Sequence, residues 1–197
     1  METIVFATNN AHKLREIRSL LGNNPEVKSL KDLGFYEDIP EPFDTLEKNA
    51  RAKSATIASR FGLACFADDT GLEVEALDGK PGVFSARYAG PDANSKNNIQ
   101  KLLQELQGET NRKARFRTVI SLMLNGTEYR FEGMVAGVIL TEEHGHDGFG
   151  YDPVFKPDGY DQSFAEMDPE LKNRISHRGI AVRKLADFLK QRFGQRV

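Results

Sequence analysis

The sequence predicts a mixed α/β fold in which a long β-sheet is flanked by helices. Two observations carry that expectation. Apolar β-rich runs alternate with helical patterns early in the chain: a run at 3–7 precedes a helix, and a helix over 46–61 precedes a run at 63–67. Later, two long strand patterns at 115–124 and 127–140 are joined by Asn125-Gly126, a dipeptide that favours two-residue hairpin turns. Strands separated by helices pair in parallel and a hairpin pairs antiparallel, so one sheet holding both is mixed.

The chain has 197 residues, with 39% hydrophobic and 28% charged side chains, enough for one large domain or two closely packed lobes. A net charge of -2 argues against a general nucleic-acid or membrane-surface binder. The last segment is nevertheless basic, with Lys172, Arg174, Arg178, Arg183, Lys184, Lys190, Arg192 and Arg196. Most of these read as a solvated helix face, and one or two are expected to leave it and meet phosphate. A single cysteine, Cys65, excludes a disulfide framework or a cysteine-based zinc site within one chain and reads as an apolar filler. Met1-Glu2-Thr3 leads directly into a strand pattern, without a signal peptide, and no apolar run is long enough to span a membrane. The expected compartment is the cytoplasm.

In chain order, the first strand stops at Thr8-Asn9-Asn10. A helix follows, with Leu14, Ile17, Leu20 and Leu21 at helical spacing and Gly22 where a C′ residue belongs. Lys13 falls in its first turn, and a helix N-terminus with free N–H groups is suited to anions. This is not a Walker loop, since the glycines and the Lys-Ser/Thr pair are missing. A strand is expected near Val27. Pro40-Glu41-Pro42 is stiff and extended and holds Glu41 out on a rigid tether. Asp44, with Glu47 three residues on, reads as the capping pair of the 46–61 helix, and Lys53 lies within that helix.

The run at 63–67 ends in Asp68-Asp69-Thr70-Gly71, read as a turn at a sheet rim that needs a cation, a metal or solvent to meet its charge. A half-exposed strand at 72–77, a turn-rich loop, an ordered loop at 84–88 and a helix over 94–106 come next. After the hairpin, Gly145-His146-Asp147-Gly148-Phe149-Gly150-Tyr151-Asp152-Pro153 reads as a flexible loop presenting rings to a ligand, with Phe149 placed for base stacking. Ser163 and Glu166 suggest a further helix start, and Ser176 a cap for the last helix. His177 and Arg178 then sit in its first turn, where basic residues oppose the macrodipole unless an anion or acceptor holds them.

The candidate site collects Thr8, Asn10, Lys13, Glu41, Asp68, Asp69, Thr70, Phe149, Asp152, Lys172, His177 and Arg178. It offers carboxylates for a hard cation, lysines and an arginine for phosphate, and an aromatic ring for a base. Mg²⁺ takes one or two carboxylates and keeps its other positions for water and substrate phosphates. The four histidines form no metal pattern, and no Gly-x-Ser-x-Gly elbow is present. Metal-assisted attack of water on a nucleotide phosphate fits these residues best.

Thr8-Asn9-Asn10-Ala11-His12-Lys13, the 41–50 stretch, Ala67-Asp68-Asp69-Thr70-Gly71-Leu72, Pro81-Gly82-Val83-Phe84-Ser85-Ala86-Arg87-Tyr88, Gly148-Phe149-Gly150-Tyr151-Asp152-Pro153 and Ser176-His177-Arg178-Gly179 resemble the Ham1/RdgB family of inosine/xanthosine triphosphate pyrophosphatases. The resemblance spans nearly the whole chain in order. It implies a single domain over 1–197 with an elongated mixed sheet, two lobes and a substrate cleft. It also implies Mg²⁺, a homodimer, and hydrolysis of non-standard purine nucleoside triphosphates (ITP, dITP, XTP) to monophosphate and pyrophosphate. Carried over by position, Thr8, Asn9, Asn10, Ala11, His12 and Lys13 bind the triphosphate. Glu41 and Asp69 serve the metal, and Asp69 is the general base. Thr70, Phe149, Gly150, Tyr151, Asp152, Lys172, His177 and Arg178 contact substrate, with Lys53 and Asp68 in support. Asn9 replaces the usual glycine and Thr70 the commoner serine.

On this reading water attacks the α-phosphorus in line and pyrophosphate leaves; whether Asp69 chiefly holds the metal or takes the proton stays open. Donors from His177, Arg178 or loop N–H groups would read the purine 6-oxo group and reject the 6-amino group of ATP. Two rivals remain at this point. One is another phosphohydrolase releasing orthophosphate, although Asp-Asp-Thr departs from the Asp-x-Asp-x-Thr that an aspartate-nucleophile phosphatase wants. The other is a nucleotide-binding regulatory protein without turnover.

Overall fold

The computed structural model describes residues 3–21 and 25–193; Gly22 and Arg196 lie outside the described residues. The fold is mixed α/β. Seven strands form one sheet in the order β2-β1-β3-β5-β6-β7, with β4 pairing β3. They are β1 (Thr3–Phe6), β2 (Glu26–Ser29), β3 (Cys65–Val74), β4 (Pro81–Gly82), β5 (Lys113–Leu124), β6 (Thr127–Ile139) and β7 (Phe155–Pro157). The helices are α1 (Ala11–Leu21), α2 (Leu46–Phe61), α3 (Ser95–Glu105), α4 (Pro169–Ile175) and α5 (His177–Phe193). β1 runs parallel to β2 and β3, whereas β4 on β3 and β7 on β6 are antiparallel. At the β5–β6 turn Asn125 has φ 50° and Gly126 φ 78°, the two positive values that a type I′ hairpin requires.

The chain divides into two compact units. The first comprises residues 1–69, 118–133 and 178–197; the second comprises 70–117 and 134–177. In the first unit the parallel strands are covered on both faces. Ile4 and Phe6 of β1 and Phe66 of β3 pack with Ile17 of α1 and Ala181, Val182 and Leu185 of α5. Their neighbours in sequence, Val5, Ala7, Cys65 and Ala67, pack with Ile57 of α2 and Leu30. This is the period-two alternation of a strand, and it decides where the charged residues that follow will point. Phe6 and Phe66 stack with centroids 4.7 Å apart. The second unit is built around Leu72, Val74, Ile99, Leu102, Leu106, Phe116, Phe155 and Phe164.

Most elements lie where the sequence places them, with exceptions; the strand expected over 72–77 ends at Val74, and Glu75–Leu77 form a 3-10 helix instead. Residues 68–71 are not a turn: β3 runs unbroken for 10 residues through all of them, and no rim separates the run at 63–67 from Leu72. Glycine serves there for close approach, since a Cβ on Gly71 would come within 2.7 Å of the Gly82 carbonyl oxygen. Thr45, not Asp44, caps α2, accepting from the Lys48 amide at 3.3 Å. Both amide atoms of the Asn49 side chain bind the Phe43 backbone and fix the chain's entry, while Asp44 pairs with Lys48 instead. The Ser163–Glu166 pattern forms the expected bond, Glu166 accepting from the Ser163 amide at 2.8 Å, but closes only a turn. The helix begins at Pro169 under an Asp168 cap. The glycine-rich 145–153 loop carries its own hydrogen bond, the Phe149 amide donating to Asp152 Oδ2 at 2.7 Å, and is bonded at its start. The His144 amide donates to the Pro153 carbonyl at 2.8 Å, and Ser163 Oγ donates to the His144 carbonyl at 2.8 Å. Among the described residues no helix is long and apolar enough to cross a membrane.

Candidate functional site

Successive residues of β3 face opposite ways, so Asp68 and Asp69 serve different surroundings. Asp68 follows Phe66 onto the α1/α5 face. There Lys13 Nζ donates to its Oδ1 at 3.0 Å and Arg178 Nε to its Oδ2 at 3.2 Å. Arg178 is itself held at its other end by Glu16, whose Oε2 lies 2.5 Å from Nη1. Burial, at 1% exposure, would raise the Asp68 carboxyl; Lys13 and Arg178 outweigh it and hold the group well below the usual carboxylate range. A buried carboxylate bracketed by two cations is an organising centre for both side chains.

Asp69 follows Ala67 onto the α2 face. Lys53 of α2 places its ammonium against Glu41, donates to the Asp68 carbonyl oxygen at 2.7 Å and lies 3.8 Å from Asp69 Oδ1. Burial pushes the Asp69 carboxyl upward; Lys53 opposes that and Glu41 adds to it. Burial alone would lower Lys53, but Asp69 and Glu41 turn the balance and raise it. Two carboxylates thus converge on one cation, supplied in this structure by the chain's own ammonium. Among the described residues no group of three or more His, Cys, Asp or Glu is arranged to hold a metal. A metal here would therefore rest on two carboxylates and take its remaining ligands from water and substrate.

The start of α1 is closed by side-chain caps from Thr8 and Asn10. Thr8 Oγ1 accepts from the Asn10 amide at 3.1 Å, and Asn10 Oδ1 accepts from the amides of His12 at 2.9 Å and Lys13 at 3.1 Å. Asn9, Asn10, Ala11 and His12 are exposed, and Lys13 turns inward to Asp68.

Thr70 and the remaining predicted residues belong to the second unit, apart from Arg178 in the first. Asp152 ties several of them together. Its Oδ2 accepts from the Phe149 amide at 2.7 Å and from Lys172 Nζ at 2.7 Å. Gly148, at φ +79°, leaves room for this carboxylate, which any Cβ there would strike. Lys172 Nζ also lies 5.2 Å from the centre of the half-buried Phe149 ring. Gly150 takes φ 63° between them in the chain. Tyr151 departs from the expectation of a ring offered to ligand: it is buried in the core of its unit, and its hydroxyl donates to the Ser85 carbonyl at 2.8 Å. His177 is buried and stacked on Phe116. Of the basic residues at the end of the chain, Lys172 and Arg178 leave the solvated face as anticipated, whereas Arg174, Arg183, Lys184, Lys190 and Arg192 are exposed.

Glu16 was missed by sequence reasoning. Its signal was available: it lies three residues after Lys13, on the same face of α1, where a carboxylate and an ammonium can serve one network.

The chain as a whole is similar to known proteins. The profile of the Ham1 family matches residues 4–188. A Porphyromonas gingivalis protein named dITP/XTP pyrophosphatase is 55% identical over 190 residues, covering 96% of this chain and 98% of its own. The structure of the Staphylococcus aureus Ham1 protein superposes with a TM-score of 0.89 at 38% identity, covering 97% of this chain and all (100%) of that one. A Mycobacterium abscessus nucleoside-triphosphatase / dITP/XTP pyrophosphatase gives a TM-score of 0.77 at 39% identity, covering 95% of this chain and 98% of its own.

Proposed function

This chain belongs to the Ham1 family, and on that footing we propose that it hydrolyses non-standard purine nucleoside triphosphates, dITP/ITP and XTP/dXTP, to the nucleoside monophosphate and pyrophosphate. The observation that carries the reading is the grip of Glu41 and Asp69 on a single cation, Lys53, beside a strand that also organises Lys13 and Arg178. A binding protein without turnover has no need of that paired-carboxylate arrangement.

The donor set fits Mg²⁺, which favours one or two carboxylates with substrate phosphate completing its shell. Glu41 and Asp69 would hold it, and it would supply positive charge to the phosphates during the reaction. The chain's own residues do the rest. The capped start of α1 and Lys13 bind the triphosphate and offset charge on the departing pyrophosphate. Asp69, whose carboxylate burial makes more basic, accepts a proton from the water that attacks the α-phosphorus. Phe149 stacks on the purine, Lys172 and Asp152 fix that loop, and His177 and Arg178 contribute to base recognition. The two units are taken as lobes of one enzyme domain over 1–197, acting in the cytoplasm as a homodimer.

The decisive experiment incubates the protein with Mg²⁺ and a panel of ITP, dITP, XTP, GTP and ATP and scores the products. Pyrophosphate from the first three is expected. Stepwise orthophosphate, or tight ITP binding with no product, would overturn the reading. Light scattering on the purified protein tests the homodimer.

A further inference from the structure

His177 stands in a buried aromatic stack whose other members, Phe116, Phe155 and Phe164, belong to neither the sequence motifs nor the proposed chemistry. Its imidazole lies 4.5 Å from the Phe116 ring with planes 14° apart. Phe116, on β5, is fixed in turn by Phe155, edge-on at 4.7 Å, and by Phe164 at 6.2 Å. Phe164 also lies 6.2 Å from His177, and Lys172 Nζ lies 5.9 Å from the Phe164 ring centre. His177 and Lys172 therefore share one wall, and Phe116 is its centre.

We propose that Phe116 is a specificity-determining positioning residue: by stacking on His177 it fixes the plane of the imidazole and so the direction in which that ring meets the purine. The proposal rests on the reading that His177 faces the base. Its physical ground is the stiffness of a buried stack. A ring stacked in a packed core cannot swing about χ2 without opening a gap, and stacked pairs resist that beyond their burial. Selection for a 6-oxo purine depends on a donor meeting an oxygen at the right distance and angle, and on its being left unmatched by a 6-amino group. Loss of orientation erodes that penalty even when the donor itself is retained, because recognition geometry tolerates little slack.

Phe116→Leu tests this, measured beside wild type with ITP and ATP. The expected result is a KM for ITP raised about tenfold with kcat little changed, and an ITP-over-ATP preference in kcat/KM reduced by about tenfold or more. The ring-current shift of the His177 ring protons in NMR spectra should collapse in the same variant. Leu102→Ala, a truncation on α3 in the same core cluster, supplies the structural control; it should lower stability while leaving both the preference and the His177 shift in place. Phe116→Tyr, which keeps a ring, should keep the preference. The proposal is overturned if folded Phe116→Leu retains the wild-type preference, or if Leu102→Ala loses it equally. A wild-type enzyme with no ITP preference would instead defeat the underlying reading.

Discussion

The ammonium of Lys53 lies 3.8 Å from Oδ1 of Asp69, with both side chains about nine-tenths buried. Glu41 shares the same ammonium. Lys53→Met removes the cation that Asp69 and Glu41 share, and breaking a buried pair by deleting one partner costs about 3 kcal/mol. Unfolding by urea with EDTA present should show that loss, and saturating magnesium chloride should recover much of it by binding the folded state. An equal loss with and without magnesium would place the metal elsewhere.

Asp69→Asn keeps the size of the side chain and removes its charge and basicity. Pyrophosphate release from ITP should fall by at least about 10²-fold, with the circular dichroism spectrum unchanged. Near-normal turnover would remove Asp69 from the chemistry.

Phe149→Ala deletes the half-buried ring beneath Lys172. A lost base stack is worth about 1–3 kcal/mol, so KM for ITP should rise from about 5-fold to over 100-fold. An unchanged KM would refute stacking on this residue.

Tyr151→Phe deletes the hydroxyl that donates to the Ser85 carbonyl. The expected cost is about 1–1.5 kcal/mol in the urea midpoint at neutral pH. Burial raises this phenol above its ordinary value near 10, with Tyr88 and Glu105 adding to the rise. A group raised on folding contributes stability that is complete below its unfolded pKa and lost as pH climbs toward the folded one. Wild type should therefore lose stability above about pH 10 more steeply than the variant, as urea titrations at alkaline pH would show.

Cys65 is fully buried, and burial pushes its thiol upward despite an opposing backbone contact from Ala7. At pH 8.5 it should resist iodoacetamide in the folded protein and react in urea, since the thiolate is the attacking form. Fast labelling of the native chain, read by mass spectrometry, would contradict this packing.

Local pattern made much of this architecture legible. The 46–61 helix with Gly62 as its left-handed terminator and the Asn125-Gly126 hairpin are decided by neighbours in sequence, and both lie where expected. Asp68-Asp69-Thr70-Gly71 was misread for the complementary reason. Its composition is that of a breaker, and what keeps it in a strand is distant in sequence: β3 lies between β1 and β5 in the sheet, while Lys13, Arg178 and Lys53 meet its carboxylates. Asp68 and Arg178 are separated by 110 residues, a pairing no periodicity announces. Tyr151 shows the same limit in reverse. Its glycine-rich setting suggested exposure, but the ring packs in the core of its unit and its hydroxyl binds Ser85, 66 residues away.

A loop can absorb an added residue by bulging; the middle of a strand has parity. Because Asp68 and Asp69 occupy opposite faces of an unbroken β3, a residue inserted between Cys65 and Phe66 would do more than displace them. It would exchange their addresses, handing the Lys53 side to one and the Arg178 side to the other, and would turn Phe66 toward α2 at the same stroke. Length changes in this segment are thus all-or-none for the chemistry, and variation among working versions of the chain should accumulate in the loops that feed β3 rather than within it.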